Sequence, residues 1–205
     1  MSALMLGPAD TFDGTASPRQ VLLFSGHMVD APGRAKARFP AASVPIAERE
    51  IEKALDTLDA GDRDLGLTQG AAGGDLLFAE GCVKRGVRVQ LLLPLAEDEF
   101  IRQSILPSAQ GESWRERFVA LKSMLADPPR IMADELGVLP AHANPFERCN
   151  LWLLSTALGY GHEKVRLICL WDGGGGDGPG GTAHMVAEVE RYGGQVTWLD
   201  TRRLW

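Results

Sequence analysis

Short apolar runs alternate along this chain with longer stretches in which apolar residues return every three or four positions. Val21–Phe24 is continuously apolar, the pattern of a short strand covered on both faces. Asp64–Gln69, Val87–Leu93, Val165–Trp171 and Gln195–Leu199 read as further strands, and Arg130–Ala133 as a short one. Between them, Ala47, Ile51, Ala54, Leu55 and Leu58 fall on one helical stripe, with Ser43 and Pro45 at its start and Gly61 at its end. Further helices are predicted from about Asp75 to Gly86, from Ser113 to Leu125 and from Ala183 to Tyr192. Asn144-Pro-Phe-Glu147 is a helix start, with Asn144 as the cap and Pro145 at the first helical position, and that helix runs to about Leu158. The polar stretch from Ser25 to Ala42, broken by Pro32, Gly33 and Pro40, reads as a long loop, as does the segment holding Glu97, Asp98, Glu99 and Phe100.

Strands alternating with helices of about three turns predict an α/β fold: a Rossmann-like three-layer sandwich with a mostly parallel sheet and helices on both faces. A chain of 205 residues, 45% hydrophobic, suits one domain with a full core. That domain is expected over 19–205, after a loose tail over 1–18 that mixes Gly, Pro, Asp, Ser and Thr without a period. The net charge of −6, with no basic stripe, argues against nucleic acid as a partner. No apolar run reaches the ~18–20 residues of a membrane span, and the first residues lack the basic start of a signal peptide. Cys82, Cys149 and Cys169 lie far apart in apolar surroundings, which suits free thiols in a reducing cytoplasm. The four histidines show no H-x-x-x-H pairing, which argues against a zinc site; no metal and no cofactor is expected.

Two glycine-rich turns each follow an apolar run and open a helix: Gly70-Ala-Ala-Gly-Gly-Asp75, and Asp172 through Thr182. In a parallel sheet such turns lie at the carboxyl ends of strands, where bare N–H groups and helix N-termini receive anions. The second turn contains G-x-G-x-x-G as Gly173, Gly175 and Gly178, but in so glycine-rich a run the match is nearly automatic, and only one strand follows it. It also spells G-x-x-x-x-G-G-T from Gly175 to Thr182, with Gly181 where a P-loop needs lysine, which argues against triphosphate hydrolysis. What survives is a cradle: the amides of Gly180 and Gly181 with the Thr182 hydroxyl, wrapping one phosphate, unless Thr182 serves only as a helix cap. In the first turn Gly70, Gly73 and Gly74 permit close backbone approach, and Asp75 is either the cap of the following helix or an acceptor for ribose or base.

Other candidates converge on the same edge. Ser25, Gly26 and His27 leave the first strand, and the forked side chains of Arg34 and Arg38 suit a phosphate, with Lys36 between them. His27 is a general acid–base candidate or a structural histidine. Glu97, Asp98 and Glu99 are either an acid–base group or a solvated trio. Asn150, in apolar company, needs a partner in the backbone or a ligand. Trp152 and Trp205 belong to the core or to a homo-oligomer interface.

The strand-end motifs Ser25-Gly26-His27, Gly70–Asp75 and Gly178-Pro-Gly-Gly-Thr182 resemble those of the SLOG superfamily, the Rossmann-like fold of the lonely-guy enzymes and DNA-processing proteins, and of SLOG-like domains in bacterial signalling and conflict systems. The resemblance spans most of Val21–Leu199 and implies a nucleotide or nucleotide-derived small-molecule ligand. Lonely-guy enzymes cleave the base from nucleoside monophosphates with P-G-G-x-G-T-x-x-E. Pro179-Gly-Gly-Thr182 is a shortened form, Met185 stands three residues after Thr182, and Glu188 comes later on the helix. The expectation is a ligand-binding module. The alternatives are an N-glycoside hydrolase with Asp75, Asp172 or Glu188 as its carboxylate, and a scaffold with a degenerate pocket.

Overall fold

The apolar runs align side by side in one sheet. The computed structural model describes residues 17–174 and 181–205. Its strands are β1 (Val21–Gly26), β2 (Leu65–Thr68), β3 (Arg88–Leu93), β4 (Arg130–Ile131), β5 (Val165–Trp171) and β6 (Gln195–Asp200), in the order β4-β3-β2-β1-β5-β6. Every neighbouring pair is parallel, with Val21 opposite Leu65 on one side and Val165 on the other. Parallel neighbours require crossovers, and the helices supply them: α1 (Val44–Thr57), α2 (Gly74–Lys84), α3 (Glu97–Ser104), α4 (Gly111–Met124), α5 (Met132–Leu136), α6 (Pro145–Leu158), α7 (Thr182–Arg191) and α8 (Thr201–Leu204).

Alternation along the buried strands divides the core into two layers. Leu22 and Phe24 of β1, Leu91 of β3 and Ile168 of β5 face α1, α2, α3 and α4 through Ile51, Leu55, Phe78, Phe100 and Phe118. Val21, Leu23, Leu67 and Leu167 face the opposite way, onto Trp152 and Leu153 of α6 and Met185 and Val189 of α7. The architecture is therefore the α/β Rossmann-like three-layer sandwich, with a sheet that is parallel throughout its described strands. No helix among the described residues is long and apolar enough to cross a membrane.

Several elements differ from the sequence reading: β1 continues through Ser25 and Gly26, α1 ends at Thr57 ahead of Gly61, α8 was not expected, and three further differences bear on the chemistry. The segment at Glu97–Phe100 is the start of α3, not a loop: the three acids occupy a helix N-terminal turn, where the dipole favours them, while Phe100 turns inward. Pairing at Arg130–Ala133 stops at Ile131, and Met132 begins α5. Asp64, expected in β2, precedes it: its buried carboxylate is held by Arg19 (2.8 Å), Gln20 (3.0 Å) and the Gly61 N–H (2.9 Å), pinning the start of β1 beside β2. Most of the expected tail, residues 1–16, and the centre of the second glycine turn, residues 175–180, lie outside the described residues.

The cap of α6 forms as its sequence predicts, with Asn144 Oδ1 accepting from the N–H groups of Phe146 (2.9 Å) and Glu147 (3.3 Å). Asn144→Ala is expected to cost about 1 kcal/mol, read as a fall of ~2–4 °C in melting temperature; an unchanged melting temperature would show the cap to be energetically idle.

Candidate functional site

The chain crosses the sheet outward in two directions from β1, toward β2–β3–β4 and toward β5–β6. The carboxyl ends of β1 and β5 therefore form the topological switch point, where open α/β sheets leave a crevice. A cleft of about 350 Å³ opens there.

Its wall on the β1–β5 side begins at Gly26. A Cβ at this position would stand 2.9 Å from Leu170 O, so glycine lets β1 and β5 run close to their ends. His27 follows and donates its N–H to Leu170 O (3.0 Å). Its side chain is nearly covered, and Nε2 accepts the Asp172 N–H at 3.3 Å. That bond assigns the proton of a neutral ring to Nδ1. Asp172 Oδ1 lies 3.6 Å from the same nitrogen. The Gly174 N–H, accepted at 2.9 Å, holds the Asp172 carboxyl below its ordinary range, and the charges of Arg38 and Lys36, with that of His27 when it is protonated, add to this against partial burial. Beside this pair Ser25 Oγ donates to Thr182 Oγ1 at 3.2 Å, tying the end of β1 to the first residue of α7. Gly181, rather than Thr182, is the cap of α7, so the Thr182 hydroxyl is directed to Ser25 and the cleft.

The lid is the loop after β1, and Asp30 organises it. Asp30 Oδ2 accepts from the N–H groups of Arg38 (2.9 Å) and Phe39 (3.0 Å), and Oδ1 faces Arg34 Nε at 3.4 Å. Phe39 stacks on Trp205 with centroids 5.2 Å apart, and Trp205 Nε1 donates to Arg38 O. Arg34 and Arg38 both line the cleft from this loop.

The first glycine turn works differently from the expectation of bare amides facing a ligand. Gly73 has φ of +110°, and a Cβ there would lie 2.8 Å from Val29 N; a Cβ on Gly74 would lie 2.6 Å from the Phe24 ring. Gly73 bridges Met28, and the Gly74 N–H points to His27 O (3.4 Å). A Cβ on Gly70 would press on Leu91 and Phe118. These three glycines let the turn pack against the molecule's own loop and core, and it is Ala71 and Asp75 that reach the cleft. The cap of α2 is Gly73, so Asp75 is not the cap; its carboxylate accepts the Ala71 N–H at 3.2 Å. Burial pushes the Asp75 carboxyl up to about 7, against the pull of the Ala71 amide, the nearby Thr68 hydroxyl and the Gly70 amide.

The floor holds an amide pair, Gln69 Nε2 donating to Asn150 Oδ1 at 2.7 Å. The far wall is the α3–α4 connection, where Ser104 O accepts from Ala72 N–H and Ala109 N–H donates to Asp30 O.

The fold thus gathers Ser25, Gly26, His27, Arg34 and Arg38 with Asp75, Asn150, Gly181 and Thr182 around one cleft. Asp172 stands just behind His27. Glu188 does not join them: it lies further along α7 and pairs with Arg191 at 2.6 Å. Glu97 and Glu99 pair with Lys122 and Arg102 instead of facing the cleft. Gly180 lies outside the described residues. Sequence reasoning passed over Asp30, Gln69, Ser108 and Trp171. Asp30 had a local signal, an acid four residues before Arg34 in a long loop; Ser108 had none, because only the tertiary fold brings the α3–α4 connection to the edge. Among known proteins, no family model and no curated protein matches the chain.

Proposed function

We propose that this cleft binds a nucleotide or nucleotide-derived ligand, in the manner of a sensor domain. The observation that supports the reading is the meeting, at the topological switch point, of the α7 N-terminus with Ser25, Thr182 and two arginines. The first amides of a helix have no partner within it, and together with the helix dipole they favour an anion. The phosphate sits at Gly181 and Thr182, with Arg34 and Arg38 closing from the lid. Asp75, Asn150 and Gln69 on the floor meet the neutral part of the ligand with hydrogen-bonding groups. The same convergence is what membership of the SLOG superfamily asks of this chain.

A thermal-shift panel of mono-, di-, cyclic and ADP-ribosyl nucleotides tests the proposal. A ligand at about 100 times its Kd adds roughly 2.7 kcal/mol, which raises the melting temperature by about 5–10 °C in a domain of this size. No shift with any member of the panel removes the proposal.

One observation favours a second reading, N-glycoside hydrolysis of nucleoside 5′-monophosphates. Asp75 is a cleft carboxyl held near neutrality, the condition of a general acid–base group. Release of free base that disappears in Asp75→Asn would support it; binding without base release leaves the module reading alone.

A further inference from the structure

The cleft has further polar lining beside the phosphate contacts proposed above. Ser108 is 3% exposed and Asp30 8% exposed, and both line the cleft. Ser108 Oγ and Asp30 Oδ1 are shielded from solvent, and neither makes a hydrogen bond among the described residues. Asp30 Oδ2 is committed to the loop amides of Arg38 and Phe39, whereas among the described residues Oδ1 has only the ion-pair contact with Arg34 Nε at 3.4 Å. The Ala109 N–H donates to Asp30 O at 3.0 Å, which holds the connection carrying Ser108 against Asp30.

We infer that Asp30 and Ser108 form the sugar subsite of the cleft and take ribose hydroxyls, so that the protein selects ribonucleotides over their deoxy counterparts; this rests on the nucleotide reading above. A carboxylate oxygen is an acceptor only, and its complement is a strong donor such as O–H. A serine hydroxyl both donates and accepts, which matches the second hydroxyl of a cis-diol. Leaving such groups buried and unmet is costly, so a ligand that meets them binds better than one that does not. The negative charge of Asp30 disfavours a phosphate directly against it, which leaves the anion to the α7 N-terminus and the arginines and the sugar to Asp30 and Ser108. Asp75, Gln69 and Asn150 are then left to face the base.

The test is calorimetric titration with the four ribonucleoside 5′-monophosphates and their 2′,3′-dideoxy forms. The natural protein is expected to bind the preferred ribonucleotide at least about tenfold more tightly than its dideoxy partner, since a site built to hydrogen-bond a hydroxyl rejects the analogue that lacks it. Ser108→Ala is expected to cut that ratio about threefold or more, and Asp30→Asn to cut it likewise. The ratio does not depend on the fraction of folded protein, and Ser108→Ala removes a single unpartnered oxygen, so damage to the lid in Asp30→Asn does not obscure the outcome. Equal binding of the two forms by the natural protein, or an unchanged ratio in Ser108→Ala, overturns the sugar subsite while leaving nucleotide binding intact. Failure of the natural protein to bind any of the eight probes removes the nucleotide reading for monophosphates and this inference with it.

Discussion

Asp75→Asn is expected to melt about 5–10 °C above the natural protein at pH 8 and level with it at pH 4. The carboxyl rises from its ordinary 3.8 to about 7 because burial disfavours its charge. Between those two values the folded protein keeps a proton that the unfolded chain has released. Stability therefore falls as pH rises through this window, and the loss is complete above the folded value. At ~1.4 kcal/mol for each pH unit, the full penalty is on the order of 4 kcal/mol. The carboxyl faces a cleft that admits water, which reduces the expected gain to about 2–3 kcal/mol. Asparagine retains an oxygen for the Ala71 N–H and carries no charge to bury. Carboxyls held below their ordinary range, Asp64 and Asp172 among them, contribute stability above that range and lose it in more acid solution; they are common to both proteins and cancel in the difference. Melting temperatures of the pair from pH 4 to pH 8 decide the matter: a gap that does not widen with pH means Asp75 is not charged at a cost.

Gly73→Ala is expected to destabilise the fold by about 3–5 kcal/mol, seen as a melting temperature lower by roughly 10 °C or more. Two effects combine. Gly73 has φ of +110° and ψ of −125°, a region that side chains avoid. Its new Cβ would also stand 2.8 Å from Val29 N, a backbone atom that cannot swing aside. Relief would break the bridge between Met28 and Gly73 and move the loop that carries Asp30. Gly33→Ala is the control: its φ is +79°, and nothing lies within 4 Å of the added carbon. It is expected to cost only about 1 kcal/mol. Urea unfolding of the two variants compares a crowded positive-φ glycine with an open one; equal losses would show that the contact with Val29 carries no weight.

The fold was legible where periodicity and end signals agree. The run at Val165–Trp171, the stripe from Ala47 to Leu55 and the cap at Asn144 each occupy the predicted element. Legibility failed at Glu97–Phe100, because three consecutive acids mask a helical period whose anchor, Phe100, comes after them. The candidate site divides in the same way. Residues at strand ends, Ser25, His27 and Thr182, were readable because a parallel sheet sends every such end to one edge. Gly70, Gly73 and Gly74 were readable as special backbone, yet a string of letters does not say whether the space above a glycine belongs to a ligand or to Phe24 and Val29.

Local order, the alternation of strand and helix, and the positions of the two glycine corners follow from the sequence by itself, since propensity, capping and periodicity are properties of neighbours along the chain. The tertiary structure alone decided that His27 meets Asp172, that Gln69 meets Asn150 across 81 positions, and that Asp30 and Ser108 share one wall. Those pairings join residues far apart in the chain, and it is the sheet order β4-β3-β2-β1-β5-β6, with its reversal at β1, that brings them to a common edge.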